Sequence, residues 1–225
     1  MKATIVYDNV SLSPEFRSSW GFAAILNVNG KFLLFDTGWD GHLLLSNLGK
    51  LNFDVKAIEA VVISHDHWDH AGGLPALLQA NSNLRVYVPK SFSKRLKAEI
   101  ADRARELIEV SEPTKILDDI WSIGELKSSF WGLNEQAILA KTSRNLLLLT
   151  GCSHPGVKAI INAAGKLGLG NVSGIAGGLH GFRRLNLLSD MRLIVPCHCT
   201  QYKREILERY PDRTLRCGVG LTFEF

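Results

Sequence analysis

The segment Ser64-His65-Asp66-His67-Trp68-Asp69-His70 holds three of the chain's seven histidines together with two aspartates. Neutral imidazole and carboxylate are the donors that zinc takes in mixed nitrogen–oxygen sites, and iron, manganese and nickel accept the same set. Residues i and i+2 of extended chain project to one side, so His65 and His67 can reach one cation. Asp69 and His70 stand where the chain turns into the next helix and can aim at a neighbouring position. Donors of this kind suit metal-assisted hydrolysis, in which two cations about 3.5–4 Å apart activate water against a phosphoryl or carbonyl centre.

Later histidines complete the pattern. His154, in Thr150-Gly151-Cys152-Ser153-His154, and His198, in Pro196-Cys197-His198-Cys199-Thr200, each follow an apolar run directly. His180, in Gly177-Gly178-Leu179-His180-Gly181, comes just after another. If these runs are strands, all three histidines are delivered to the sheet edge that carries His65. His180 is left over from the ligand set and can donate a hydrogen bond to substrate or act as general acid. Asp36 ends an apolar run before Thr37-Gly38; it is either an Asx turn or a carboxylate that orients a ligand imidazole through its other N–H. His42 has no such setting and takes no role. Trp20, Trp39 and Trp68 lie near these turns and are read as core residues, with one of them able to wall a pocket for an aromatic ligand.

The elements that must position these groups alternate along the chain. Thr4–Tyr7, Ala23–Val28 and Phe32–Phe35 read as strands, with Asn29-Gly30 as a hairpin turn between the last two. Leu43–Leu51 has apolar residues at helical spacing, Ala60–Ile63 reads as a strand buried on both faces, Leu74–Ala80 as a helix and Arg85–Val88 as a strand. Lys94–Val110 reads as one long amphipathic helix stopped before Pro113. Glu135–Ala140 and Asn145–Leu149 look like paired strands. Val157–Leu167 reads as a helix, Val172–Ala176 and Leu193–Val195 as strands, Lys203–Tyr210 as a helix and Leu221–Phe225 as a closing strand. Strands lead and helices follow in each half, which points to an α/β fold of two αβ halves packed sheet on sheet with helices outside.

The 225 residues, 46% apolar and 21% charged, are ordinary globular usage and exclude global disorder. On length they are read as a single domain, 1–225. Lys+Arg 26 against Asp+Glu 22 gives only +4. The one basic tract, Lys90–Arg105, is interleaved with acids and reads as a solvated helix face, so no nucleic-acid partner is expected. No apolar run is long enough to span a membrane, and the start is too short in apolar residues for a secretory signal. Four cysteines, two of them spaced Cys197-x-Cys199, fit a reducing cytoplasm better than an oxidising compartment.

Phe35-Asp36-Thr37-Gly38, the His65–His70 cluster with Ala71-Gly72-Gly73-Leu74, and the later histidines resemble the metallo-β-lactamase superfamily over nearly the whole chain. Asp8-Asn9, Gly151–Gly156, Gly177-Gly178-x-His180 and His198-Cys199-Thr200 resemble the branch of dihydropterin-type ribofuranosylaminobenzene 5'-phosphate synthases and related hydrolases. The resemblance implies an αββα sandwich, two mixed sheets face to face, and a binuclear centre. Carried over by motif, His65, His67 and His154 hold the first metal, and Asp69, His70 and His198 the second. Asp36 gives support behind the ligands, and Asp69 and His180 are the catalytic groups. Where many relatives have a bridging aspartate this chain has Cys152, so either the thiolate takes that place or there is no bridge. A thiolate there would favour zinc or iron over manganese. The expected protein is thus a metal-dependent hydrolase with two divalent ions, zinc first, acting on a small phosphoester or other ester-type molecule. A synthase-type transferase and a di-iron redox protein of the same fold are the alternatives.

Overall fold

A computed structural model describes residues 1–128, 132–142 and 145–225, and the chain divides into two compact units. The first comprises Met1–Ser111 with Gly218–Glu224, the second Glu112–Cys217 with Phe225.

In the first unit, β1 (Lys2–Tyr7), β2 (Ala23–Val28) and β3 (Lys31–Phe35) run antiparallel. Asn29 and Gly30, with φ of 55° and 85°, make the β2–β3 turn; positive φ at both central residues matches the right-handed twist of the flanking strands. The chain then crosses over repeatedly, through α1 (Gly41–Lys50) to β4 (Ile58–Val62), through α2 (Trp68–Ala71) and α3 (Leu74–Ala80) to β5 (Arg85–Pro89), and through α4 (Lys94–Arg103) to β6 (Glu106–Val110). With the last strand, β13 (Thr222–Glu224), the order is β13-β1-β2-β3-β4-β5-β6, and β3 to β6 are parallel. Leu34, Val61, Ile63, Val86 and Val88 of the sheet bury against Leu44 and Leu48 of α1, Leu77 of α3 and Ile100 of α4.

The helix expected over Lys94–Val110 ends at Arg103. Ala104 leaves the helix at ψ 155°, and Glu106–Val110 pairs parallel with β5 as an edge strand. The alternation Glu106-Leu107-Ile108-Glu109-Val110 serves a half-buried strand as well as a helix, and the unpaired hydrogen-bonding edge of β5 decides between them. Pro113 has no part in stopping the helix.

In the second unit, β7 (Thr114–Leu117), β8 (Ile120–Leu126), β9 (Glu135–Lys141) and β10 (Leu146–Thr150) are antiparallel. β7 and β8 lie in a stretch the sequence left without elements. α5 (Val157–Lys166) leads to β11 (Val172–Gly178), parallel to β10, and β12 (Leu193–Cys197) is parallel to β11. The order is β12-β11-β10-β9-β8-β7, followed in the chain by α6 (Lys203–Arg209). Leu139, Leu148, Ile175 and Ile194 form this core with Val157 and Ile160 of α5 and Ile206 of α6. Each sheet is mixed. No helix among the described residues is long and apolar enough to cross a membrane.

Candidate metal centre

In the first unit the site begins at the ends of two parallel strands. Phe35 of β3 is in register with Val62 of β4, so Asp36 and Ser64 leave the sheet side by side. Asp36 sits at φ 57°, a left-handed conformation that aspartate tolerates better than most residues. Its N–H donates to the Val62 carbonyl at 2.8 Å, which holds that turn in place.

The fully buried Asp36 carboxylate then gathers the histidine segment. Oδ1 accepts the Ser64 N–H at 2.7 Å; Oδ2 accepts the Ser64 hydroxyl at 2.8 Å and lies 2.7 Å from His70 Nδ1. A carboxylate only accepts, so His70 carries its proton on Nδ1 and a lone pair on Nε2. The Ser64 hydroxyl has one proton, already directed at Asp36. Its oxygen must therefore accept from His65 Nδ1, 2.8 Å away. His65, like His70, is thus fixed as the tautomer whose Nε2 carries a lone pair able to bind a cation. One buried acid sets the tautomer of two imidazoles, one directly and one through a serine.

His65 Nε2 faces Nδ1 of His67 at 3.1 Å. Two donors on one tetrahedral cation, with bonds of about 2.0–2.1 Å, stand about 3.4 Å apart. Donor type, tautomer and spacing therefore fit a divalent cation at these two rings. Asp69 is buried beside them, and Trp20 Nε1 donates to its Oδ2 at 2.8 Å. The Thr37 N–H and hydroxyl both donate to the His70 carbonyl at 2.8 Å, which pins the end of the segment.

Trp20, Trp39 and Trp68 are not core residues, as the sequence suggested; they are 50%, 54% and 53% exposed. Trp39 and Trp68 lean edge to face on one another, centroids 4.7 Å apart, at the rim of the histidine segment. A partner ring at the rim takes the place of a core here, and the Trp20 indole N–H is spent on Asp69.

In the second unit, β10, β11 and β12 are parallel neighbours, and the segments after their C-terminal ends carry Cys152–His154, His180 and His198. The turn after β10 is organised by Glu135, buried at the start of β9. Its Oε1 accepts the N–H groups of Cys152 and Ser153, both at 2.9 Å, and Oε2 accepts that of His154 at 2.7 Å. The Ser153 hydroxyl donates to the Gly178 carbonyl at 2.8 Å, tying the turn to β11. His180 and His198 both take left-handed φ, 44° and 45°. Backbone bonds hold these conformations: Leu179 N–H to Thr200 Oγ1 at 2.9 Å, Gln201 N–H to the His180 carbonyl at 3.0 Å, and Thr200 N–H to the Cys197 carbonyl at 3.0 Å. The rings of His154 and His180 stand 5.4 Å apart, with His180 exposed and His198 buried.

The structure thus brings Asp36, His65, His67, Asp69 and His70 together in the first unit, and sets His154, His180 and His198 at one sheet end in the second. The sequence reading missed Ser64, the link between Asp36 and His65, Trp20 on Asp69, and Glu135, which shapes the 152–154 turn. An acid opening the otherwise apolar run Ala137-Ile138-Leu139-Ala140 was the available signal for Glu135.

Residues 20–133 match the model of the metallo-beta-lactamase superfamily. Over 99% of its length the chain is 24% identical to 95% of the 7,8-dihydropterin-6-methyl-4-(beta-D-ribofuranosyl)-aminobenzene-5'-phosphate synthase of Methanocaldococcus jannaschii. Among solved structures, a metal-dependent hydrolase of the beta-lactamase superfamily superposes with a TM-score of 0.81, covering 100% of this chain and 99% of the other at 23% identity. Zinc-bound PqqB of Methylobacterium extorquens superposes with a TM-score of 0.65 over 100% of both chains at 13% identity. These likenesses establish the α/β fold of two mixed sheets, and the family match extends from Trp20 through the Asp36 turn and the whole histidine segment: the chain belongs to the metallo-beta-lactamase superfamily.

Proposed function

We propose that this chain is a metal-dependent hydrolase of small ester-type molecules, phosphoesters included. Two divalent cations, zinc first, are held by His65, His67 and His154 and by Asp69, His70 and His198. The observation that carries this reading is the buried Asp36–Ser64 relay, which fixes both His65 and His70 as Nε2 donors. A merely structural histidine cluster has no need of two imidazoles locked in one tautomer.

When bound, such cations supply Lewis-acid polarisation and acidify a water toward neutral pH. The chain's own residues do the rest. Asp36 and Ser64 keep two imidazoles aimed and raise their basicity. Trp20 fixes the rotation of the Asp69 carboxylate. Glu135 presents His154 from a rigid turn and holds the buried Cys152 thiol within it. His180, exposed beside His154, donates a hydrogen bond to substrate and protonates the leaving group. The four cysteines fit a reducing cytoplasm.

A synthase-type transfer is the second reading, favoured by the full-length likeness to the archaeal synthase. A panel of phosphodiesters, phosphomonoesters, lactones and thioesters separates the two, because only hydrolysis proceeds without a second organic substrate. Metal analysis is expected to give two ions per chain, and one or none would overturn the binuclear assignment. His67→Ala is expected to abolish turnover and lower the metal content with the circular dichroism spectrum unchanged; retained activity would remove His67 from the ligand set.

A further inference from the structure

A cavity of about 440 Å³ opens in the first unit directly beside His67, between the helices that follow β4 and the helix that follows β5. Its size is that of a small-molecule pocket, and such pockets lie against the groups that do the chemistry. Leu74 and Leu78 of α3 line it from one side, Leu96 and Ile100 of α4 from the other, with Phe92 between and Trp68 at the mouth. Leu74, Leu78, Phe92 and Ile100 are nearly fully buried, so the floor is the hydrophobic core itself.

Two acids of the lining have partners of their own, and Arg103 of the lining is exposed. Asp66 Oδ2 accepts the Ser93 N–H at 3.0 Å, which anchors the start of α4, and Glu99 pairs with Arg95 at 3.1 Å. Among Leu74, Leu78, Phe92 and Ile100 a polar moiety would lose its water without gaining a side-chain partner, whereas each methylene gains about fourfold in affinity when buried. Four branched aliphatic side chains from two helices face this space together with Phe92 and Trp68.

We propose that this cavity seats the alkyl chain of an acyl ester or thioester, presenting its carbonyl at His67. Turnover of that substrate rests on the hydrolase reading above; binding of the chain does not. In the reaction, a water oxygen bonds to the acyl carbon, the carbon–oxygen or carbon–sulfur bond breaks, and a proton of the water passes to the leaving alcohol or thiol. Trp68, set edge to face with Trp39, marks the entrance, and the length of the cavity sets the preferred acyl length.

The test is calorimetric titration of the metal-loaded protein with 1-alkanols from butanol to decanol, beside kinetics on acetyl to decanoyl thioesters. The expected result is affinity rising about threefold to fourfold per methylene until the cavity is full, with KM falling in step and kcat nearly constant. Leu96→Trp, at a half-buried position on α4, is expected to flatten both series. Affinity independent of chain length, a series that Leu96→Trp does not alter, or preference for 2-naphthol over octanol would each overturn the proposal. So would a concentration-dependent dimer in sedimentation that Leu96→Trp abolishes, since a second copy would then cover this face. Alkanol binding without turnover of any ester would leave the cavity assignment standing and remove the hydrolase reading; acetyl-ester turnover without the length series would do the reverse.

Discussion

Asp36 acts through three bonds to its neighbours. It accepts from Ser64 N–H, Ser64 Oγ and His70 Nδ1 at 2.7–2.8 Å, and the last two bonds fix which ring nitrogens can bind a cation. Asp36→Asn places a donor where all three partners donate. It should weaken metal affinity by about 10–100-fold, the usual effect of removing a carboxylate behind a ligand imidazole. It should also cost about 1–3 kcal/mol in the metal-free protein, because a buried N–H or O–H is left unsatisfied. Chelator competition reads the first effect and urea unfolding the second; wild-type values in both would show that Asp36 does not set the tautomers. At this scale the sequence was most informative where neighbours in the chain are neighbours in space. His65, His67 and His70 are legible because they are adjacent. For Asp36 the sequence offered a role behind a ligand imidazole but not which one, His70 lying 34 residues away, and the bonds from Glu135 to the 152–154 turn, 17 to 19 residues away, were not legible.

Among the elements, the pairing of β10 with β11 leaves no room for a side chain at Gly177. Gly177 adopts φ +117°, and a Cβ there would lie 1.9 Å from the Thr150 carbonyl oxygen. Gly177→Ala therefore combines a left-handed backbone with an overlap that only separation of the two strands relieves. It should destabilise by more than about 3 kcal/mol and displace the turns bearing His154 and His180. A urea midpoint within error of wild type would contradict this account of the strand ends. The elements themselves were largely predictable: the Asn29-Gly30 hairpin, the buried strand β4 and helices α1, α3, α5 and α6 follow from period and turn chemistry. Residues 94–110 were misassigned because one spacing of apolar side chains satisfied both a helix and a strand. The vacant edge of β5 chose the strand for the last five residues, and no local signal encodes that edge.

For the whole molecule, cations held by the folded state and not by the unfolded chain must raise its stability. At free metal of about 100 Kd one site contributes about 2.7 kcal/mol, or roughly 5–10 °C in Tm for a chain of this size. Exhaustive chelation should lower the melting temperature by at least that much, and zinc should restore it in a concentration-dependent way. An unchanged melting curve would exclude a folded-state metal site. The sequence by itself determined the donor chemistry, the positions of most strands and helices, and the superfamily, since ligand types and short-range periodicity are written in consecutive residues. The tertiary structure alone decided which imidazole nitrogen is available, which acid holds each turn, that three tryptophans stand at the surface, and that an apolar cavity adjoins His67. Those outcomes depend on hydrogen bonds and contacts between residues that only folding makes neighbours, where burial removes water as the competing partner.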